Sequence, residues 1–219
     1  DLTRVFIYAP SDDPIKVLFE DEAILIVNKP SGLLSVPGRL AEHSDSLETR
    51  LRAIYPETLL VHRLDVPTSG VMVFARTKDA QRHIGMQFEK RMTRKTYVAR
   101  VWGHPVEDYG HINLPLIVDW PNKPKQKVCH ETGKPSQTDW VVMEREALAT
   151  RIKLHPKTGR THQLRVHMMA LGHSILGDRF YADDDALMAA DRLQLHAHEL
   201  ALRHPIGVAD MVFKSEVPF

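Results

Sequence analysis

The sequence predicts an α+β fold built on a mixed, mainly antiparallel sheet flanked by helices and loops. Short β-prone segments outnumber helical ones and follow one another directly, without the regular strand–helix alternation of a parallel α/β protein. Neither common phosphate-binding glycine loop is present, which argues against a nucleotide cofactor. At 219 residues, the chain is long enough for one domain with a sizeable core or for two small ones.

The N-terminal half predicts three strands and two helices. Residues 16–36 alternate short β-prone runs with an Asp turn and a Pro-Ser-Gly break, which indicates two strands. Residues 44–54 carry leucines at helical spacing, with Ser44 or Ser46 as the N-cap. Residues 70–77 (GVMVFART) are rich in β-branched residues and predict a strand, and residues 79–91 predict a helix capped by Asp79.

The C-terminal half adds more strands and one clear helix. The stretch KTYVARVWG (95–103) predicts a strand, and further strands are expected around residues 111–118, 138–144 and 150–155. Residues 162–172 (HQLRVHMMALG) predict a helix that ends at Gly172, because glycine adopts the left-handed conformation that commonly closes a helix.

The overall composition excludes several classes of protein. The chain has 29 Lys and Arg against 28 Asp and Glu, so its net charge of +1 excludes a polybasic, tail-like binder. No apolar run approaches the roughly 18 residues of a membrane helix, and the N-terminus lacks the pattern of a secretory signal. The single cysteine, Cys129, excludes internal disulfides and Cys-based metal clusters. We therefore expect a soluble globular protein of a reducing compartment.

The basic residues are concentrated in three segments. Residues 81–104 and 123–134 each contain one acid among several Lys and Arg, and residues 147–177 contain no acid at all. Segregated charge of this kind can present a basic face to phosphates, although a charge run is also typical of an ordinary solvated surface. The charge pattern alone does not distinguish these two interpretations.

A carboxylate stands out in the string HRLDVPTSG (62–70). Asp65 lies in a polar break just before a predicted strand, with Arg63 two positions earlier. A carboxylate at the mouth of a strand could act as a nucleophile or a general base. An aspartate in such a break also caps turns through nearby backbone amides, so this structural interpretation stays open.

Two more side chains are candidates for a site. Arg165 lies near the start of the predicted helix, where a buried guanidinium would need a carboxylate partner such as Asp65. Such a pair would keep the acid ionised and oriented. Tyr97 is the aromatic residue at the centre of a predicted strand beside a basic run, and it could stack on a base. The alternatives are an exposed basic helix and a half-buried core tyrosine.

The 13 histidines lack the spacing of a common metal-binding motif. His162 and His167 are five residues apart, a poor spacing for one helix face, whereas His196 and His198 suit one face of a strand. No His-Glu-x-x-His pattern or cysteine pair occurs. We therefore expect no metal site and assign the histidines to hydrogen bonding in the core or on the surface.

Four strings in the same chain together resemble the RluA-type pseudouridine synthases. HRLDVPTSG is similar to the catalytic motif of that family, and KTYVARVWG is similar to its second motif. PKTGRTHQLRVHMMALGHSILGD resembles the third motif, and EDEAILIVNKPSGLLSVPG resembles the opening segment. The resemblance extends from about Val17 to the C-terminus, and the order and spacing of the four strings make it specific.

The resemblance implies roles for individual residues. Asp65 would be the catalytic aspartate, Tyr97 would pack against the target base, and Arg165 would form a salt bridge with Asp65. Arg63 would enter the RNA stack in place of the flipped nucleotide. Four further residues in or beside the motifs are expected to contact RNA: His62, Lys95, Arg160 and His162.

The resemblance also implies the wider organisation and activity. Residues 1–16 would be an N-terminal extension and residues 17–219 a single pseudouridine synthase domain without an S4 domain. The activity would be isomerisation of uridines, without a cofactor, in 23S rRNA and in the anticodon stem-loop of tRNA. We expect a cytoplasmic monomer without membrane contacts. A non-catalytic RNA-binding protein on the same fold and a histidine-based metal hydrolase are the alternatives.

Overall fold

The β-hairpin expected near the N-terminus is present in the computed structural model, which describes residues 4–219. Chain contacts divide the protein into two compact units. The first unit comprises Phe6–Lys95 and His196–Pro218, and the second comprises Thr96–Leu195 with a few residues from the chain ends.

The strands in chain order are β1 (Lys16–Glu20), β2 (Ile24–Lys29), β3 (Leu59–Leu60), β4 (Ser69–Ala75), β5 (Arg94–Trp102), β6 (Tyr109–Asn113), β7 (Leu116–Val118), β8 (Gln126–Val128), β9 (Gln137–Arg145), β10 (Ala149–Pro156), β11 (Leu195–Arg203) and β12 (Asp210–Lys214). The α-helices are α1 (Leu47–Ile54), α2 (Lys78–Glu89), α3 (Gln163–Leu171) and α4 (Asp184–Met188).

The sheet of the first unit has the order β1-β2-β4-β11, with β3 beside β4 and β12 beside β11. Strands β4 and β11 run parallel, whereas the other pairs of this unit are antiparallel. All seven residues of β4 are buried, so the strand that follows the Asp65 loop lies in the middle of the core. Helix α2 packs its buried Ala80 and Ile84 against one sheet face.

The two helices of the first unit begin at side-chain caps. The Ser46 hydroxyl accepts a hydrogen bond from the Thr49 amide, which selects Ser46 from the two serines expected as the cap of α1. The expectation that Asp79 caps α2 is wrong. The Thr77 hydroxyl accepts from the Ala80 amide at 3.1 Å, and Asp79 lies in the first turn. Thr77 has the extended backbone that a cap requires, and the cap therefore lies two residues earlier than expected.

The second unit contains an all-antiparallel sheet with the order β5-β10-β9-β6 and a separate β7–β8 hairpin. Helix α3 covers one sheet face, where Leu164 and Met168 pack with Ile152 and Leu154 of β10. The helix ends at Gly172 in the left-handed conformation, as expected. Together the two units confirm an α+β fold with mixed, mainly antiparallel pairing.

Several elements were not predicted. Helix α4 has only five residues, and its start is marked by Asp183, which accepts from the Ala186 amide. The short strands β3 and β8, together with β12, were also missed, and β11 was indicated only by the spacing of His196 and His198. Short elements of this kind are fixed by tertiary pairing more than by local sequence. Within the described chain, no helix combines the length and apolar character needed to cross a membrane.

Candidate active site

Asp65 lies in a loop of the first unit, directly before the buried strand β4. The side chain is half-buried, and the Thr68 amide donates to the Asp65 carbonyl at 3.0 Å, which closes a turn over residues 65–68. Strand β4 then begins at Ser69. The carboxylate is therefore carried by a tight turn immediately before a core strand, as the sequence indicated.

The segment that follows β2 holds the Asp65 loop by hydrogen bonds on both sides of the carboxylate. Ahead of Asp65, the Ser35 hydroxyl donates to the Leu64 carbonyl at 2.7 Å and accepts from the Leu64 amide at 3.1 Å. After Asp65, the Gly32 amide donates to the Val66 carbonyl at 2.8 Å. The Ser31 hydroxyl donates to the Pro67 carbonyl at 2.7 Å. The polar groups of this loop are thus satisfied by a second loop, which restricts its movement.

Lys29 connects the two loops from inside the core. Its side chain is fully buried, and its ammonium donates to the carbonyls of Pro30, Leu33 and Val66 at 2.9, 2.6 and 2.9 Å. A buried ammonium is tolerated only where such dipoles replace its hydration. Sequence reasoning missed this residue, although a lysine close behind the apolar run Ile24–Val27 is a signal that could have found it.

Replacing Lys29 by Met is expected to destabilise the protein by about 2–3 kcal/mol. Methionine matches the length of the side chain but leaves buried carbonyls without a donor, at about 1–3 kcal/mol for a typical unsatisfied buried group. Urea denaturation measures the change. The exposed Lys78 provides the matched control, Lys78→Met, which should unfold like the wild type. Equal unfolding midpoints for the two variants would contradict the assignment.

The C-terminal end of the Asp65 loop is fixed by β11. The Ser69 hydroxyl lies 2.7 Å from Nδ1 of His196, and Nε2 of His196 lies 3.1 Å from the Ser215 carbonyl. Because a carbonyl can only accept, Nε2 carries the proton and Nδ1 accepts from Ser69. Gly70 has φ +122, and a Cβ there would lie 2.2 Å from the Ala197 carbonyl oxygen. Only glycine permits this approach of β4 to β11.

His62 has a structural contact three residues before Asp65. Its Nε2 accepts a hydrogen bond from the Val73 amide at 3.0 Å, and its ring stacks on Phe88 with centroids 4.7 Å apart. Burial, and secondarily the charge of Lys95, lower the pKa of His62 to about 3. Protonation of Nε2 would also break the bond to Val73. The ring is therefore neutral at ordinary pH.

His62 is expected to make the protein less stable as the pH falls below about 6.5. The unfolded chain binds a proton at the ordinary histidine pKa, whereas the folded chain does not until about pH 3, so stability declines across that interval. A His62→Gln variant keeps an acceptor for Val73 and removes the titration. Its melting temperature should fall less between pH 7 and pH 5. His130→Gln, at an exposed position, should keep the wild-type profile, and identical profiles for all three proteins would refute the expectation.

Two other predicted RNA contacts belong to the first unit. Arg63 is exposed next to the Asp65 turn, which leaves it accessible to a large ligand. Lys95 is half-buried at the start of β5, and its pKa is lowered to about 8 by burial and then by the neighbouring charge of Arg91. Lys95 therefore begins to lose its positive charge in mildly alkaline solution.

Tyr97 and the predicted RNA contact Arg160 lie in the second unit. Tyr97 is half-buried in β5, pairs with Leu154 of β10 and packs at the margin of the core. Arg160 is half-buried before α3, and its Nε donates to the Pro135 carbonyl at 3.0 Å. The position of Tyr97 at the core margin is compatible with both interpretations of this residue, packing and base contact.

Arg165 forms a bidentate ion pair in the second unit. Its Nε lies 3.0 Å from one carboxylate oxygen of Asp178, and its Nη2 lies 2.7 Å from the other. Both side chains are buried, at 2% and 0% exposure. Arg165 is thus buried with a carboxylate partner, Asp178, which sequence reasoning missed. The predicted ion pair between Arg165 and Asp65 stays a prediction.

An aromatic cluster surrounds the Arg165 guanidinium. Its central carbon lies 5.2 Å from the ring of Phe180 and 5.3 Å from that of Tyr181. Asp178 also accepts from the amides of Phe180 and Tyr181 at 3.0 and 3.3 Å. The Tyr181 hydroxyl lies 2.5 Å from Nδ1 of His162, the residue before α3. The structure therefore brings together Arg165 and His162, two of the predicted site residues.

No group of three or more His, Cys, Asp or Glu side chains that could hold a metal ion occurs among residues 4–219. The histidines instead form the hydrogen bonds described above and others like them. His167, for example, lies between the Thr138 hydroxyl at 2.8 Å and the Leu114 carbonyl at 3.0 Å. Burial lowers its pKa, so this ring too is held neutral.

Comparison with known proteins identifies the family. The sequence pattern of the RNA pseudouridylate synthases matches residues 23–170. Two relatives named dual-specificity RNA pseudouridine synthase RluA align over 214 residues, which is 97% of this chain and 98% of each relative. The protein of Salmonella typhimurium is 58% identical, and that of Escherichia coli strain K12 is 56% identical.

Solved structures agree with the sequence relatives. The structure of human RNA Pseudouridylate Synthase Domain Containing 1 is 30% identical, with a TM-score of 0.80. The alignment covers 97% of this chain and 87% of the human one. The resemblance carried by the four sequence strings is thereby confirmed, as is the assignment to the isomerases. The chain belongs to the RNA pseudouridylate synthase family, among its RluA-type members.

Proposed function

We propose that the protein converts uridine to pseudouridine in two kinds of RNA, 23S rRNA and the anticodon stem-loop of tRNA. The support comes from relatives named as dual-specificity enzymes, which align over almost their whole length at 56–58% identity. The family's sequence pattern matches residues 23–170, which include Asp65, Tyr97 and Arg165. Family membership establishes the pseudouridine synthase activity. The proposal adds that both classes of RNA are substrates.

The observation that carries the proposal is the fixed loop around Asp65. Hydrogen bonds from Ser31, Gly32 and Ser35 hold its backbone, and the Ser69–His196 contact holds its end. A carboxylate that must meet one atom of a flipped nucleotide benefits from being positioned before the substrate arrives. A solvated surface turn would not need this arrangement.

The reaction sets the requirements for the site. The N1–C1′ bond of uridine breaks, the base turns, and a C5–C1′ bond forms; C5 then loses its proton and N1 gains one. Electrons and atoms balance within the nucleotide, apart from proton exchange with water. Asp65 must be ionised to act as a nucleophile or a base in this sequence. An arginine close to it would favour the ionised form, which is the role we propose for Arg165.

The target base must leave the helical stack before Asp65 can reach it, at a cost of a few kcal/mol. We propose that Tyr97 packs on the flipped base and that the exposed Arg63 fills the vacated position. His62, Lys95, Arg160 and His162 are proposed to contact the surrounding RNA. For His62, the bond to Val73 leaves only the remaining ring edge available for such a contact.

Tritium release from 5-tritiated uridine tests the proposal. Transcripts of 23S rRNA fragments and of an anticodon stem-loop should both release tritium in the presence of the enzyme. Release from only one class would restrict the substrate range, and release from neither would overturn the proposal. RNA binding without release would instead support a non-catalytic RNA-binding protein. Pseudouridine mapping of total RNA from a strain that lacks the gene identifies the uridines.

The remaining expectations belong to the same proposal. We propose that residues 17–219 act as one catalytic domain and that the protein works as a monomer in the cytoplasm, where its RNA substrates are found. Light scattering of the purified protein tests the oligomeric state, and cell fractionation tests the location. Elemental analysis for zinc, together with activity in the presence of chelators, tests the histidine-based hydrolase alternative.

A further inference from the structure

The β7–β8 hairpin of the second unit carries a defined turn. The Asp119 amide donates to the Lys125 carbonyl at 2.8 Å, and the Lys125 amide donates to the Asn122 carbonyl at 3.0 Å. Residues Trp120–Asn122 form a short 3-10 turn between them. These bonds fix the backbone of the turn, so its side chains have a definite place on the protein surface.

The turn exposes an aromatic ring in a basic setting. Trp120 is 66% exposed, and the ammonium of Lys123 lies 3.3 Å from the centre of its ring. Lys125 and Lys127 follow, and no acid occurs from Trp120 to His130. Indole is among the largest apolar groups that a protein can display, and here it is combined with three cations. We call residues 116–128 the tryptophan arm.

The tryptophan arm is attached to the cluster around Arg165. The Gln126 amide donates to the Tyr181 hydroxyl at 2.9 Å, and that hydroxyl also contacts His162. At its base, Leu116 and Val128 pack with Val166 of α3 and with Tyr181. The arm therefore lies beside helix α3, which contains Arg165. The proposed function assigns this part of the second unit to the RNA site.

We propose that the tryptophan arm binds an unpaired nucleotide of the substrate RNA outside the target uridine. Trp120 stacks on its base, and Lys123, Lys125 and Lys127 contact the adjoining phosphates. An aromatic side chain flanked by cations is the combination that binds single-stranded nucleic acid, because every base has a face that can stack. Charge complementarity favours RNA over an apolar protein partner at this surface. The inference rests on the proposed function, since it concerns the same RNA.

A Trp120→Ala variant separates binding from chemistry. We expect its Kd for a stem-loop RNA with unpaired flanks, measured by fluorescence anisotropy, to rise about tenfold, which corresponds to the loss of one stacked base. The single-turnover rate at saturating RNA should stay within about twofold of the wild type. Trp120→Phe, which retains a stacking ring, should restore most of the affinity. Tyr109→Ala is the matched control, because Tyr109 is an aromatic residue of β6 with 76% exposure.

Salt dependence tests the lysines independently. Replacing Lys123, Lys125 and Lys127 together by Ala should reduce the slope of log K against log salt by about 2, or about 0.7 for each lost phosphate contact with a single strand. Unchanged affinity in Trp120→Ala, with an active wild type, would overturn the inference. So would a loss in Tyr109→Ala as large as that in Trp120→Ala. Failure of the wild type to modify any RNA would instead count against the proposed function.

Discussion

Asp65→Asn is expected to abolish pseudouridine formation while the protein stays folded and still binds RNA. The amide keeps the size and shape of the side chain but can neither attack nor accept a proton as a carboxylate does. Loss of a group with this role lowers a rate by about 10²–10⁴-fold in general acid–base chemistry, and by more for a nucleophile. We therefore expect tritium release to fall at least about 10³-fold.

The backbone contacts of the loop explain why folding should survive this change. The bonds from Ser31, Gly32 and Ser35 all end on backbone groups of neighbouring residues and do not involve the Asp65 carboxylate. Asp79→Asn, on the exposed first turn of α2, is the matched control and should retain full activity. Tritium release by Asp65→Asn at more than about a tenth of the wild-type rate would contradict the catalytic role of Asp65.

Asp178→Ala is expected to lower the free energy of unfolding by about 3–5 kcal/mol. The change removes a buried carboxylate partner of the Arg165 guanidinium, and breaking a buried ion pair from one side carries this cost. It also removes the acceptor of the Phe180 and Tyr181 amides. Urea denaturation measures the effect. Asp184→Ala, which removes an 87% exposed partner of Arg4, should cause no measurable change.

A double variant distinguishes the contribution of the Arg165–Asp178 pair to stability from the catalytic role proposed for Arg165. Replacing a buried ion pair by apolar residues of similar volume is often neutral for stability, so Arg165→Met combined with Asp178→Leu should recover the part of the loss that comes from the uncompensated guanidinium, while the Phe180 and Tyr181 amides still lack their acceptor. If Arg165 also stabilises the reactive Asp65, tritium release should remain more than tenfold reduced in this stable protein. Recovery of activity together with stability would show that Arg165 only supports the fold.

Local signals in the sequence were sufficient for much of the fold. The cap at Ser46 and the helix end at Gly172 depend on residues within one turn of the feature that they produce. The choice of Asp79 over Thr77 failed because both residues can accept from a helix N-terminus, and only the path of the backbone decides between them. Strand β11 was indicated only by two histidines, since its pairing with β4 joins residues far apart in sequence.

The residues of the candidate site show the same difference between local sequence signals and contacts with distant residues. Asp65, Tyr97 and Arg165 are found in the sequence because the family resemblance assigns a role to each of them, whereas Lys29 and Asp178 lie in the same strings without an assigned role. Lys29 and Asp178 were missed because their functions depend on distant partners. The ammonium of Lys29 contacts a carbonyl 37 residues away, and Asp178 is distinguished by its own burial and by its ion pair with Arg165. The chemical types of these residues are visible in the sequence, whereas their partners are visible only in the fold.

The chain leaves and re-enters the first unit, and this has a consequence for its synthesis. Residues 96–195 are contiguous and can begin to fold while the ribosome is still translating. The first unit, in contrast, lacks β11 until the residues that follow this segment have emerged. The contact of Ser69 with His196, and of His196 with the carbonyl of Ser215, can form only then. The loop that carries Asp65 is synthesised before residues 96–195, but its contacts with His196 can form only after them.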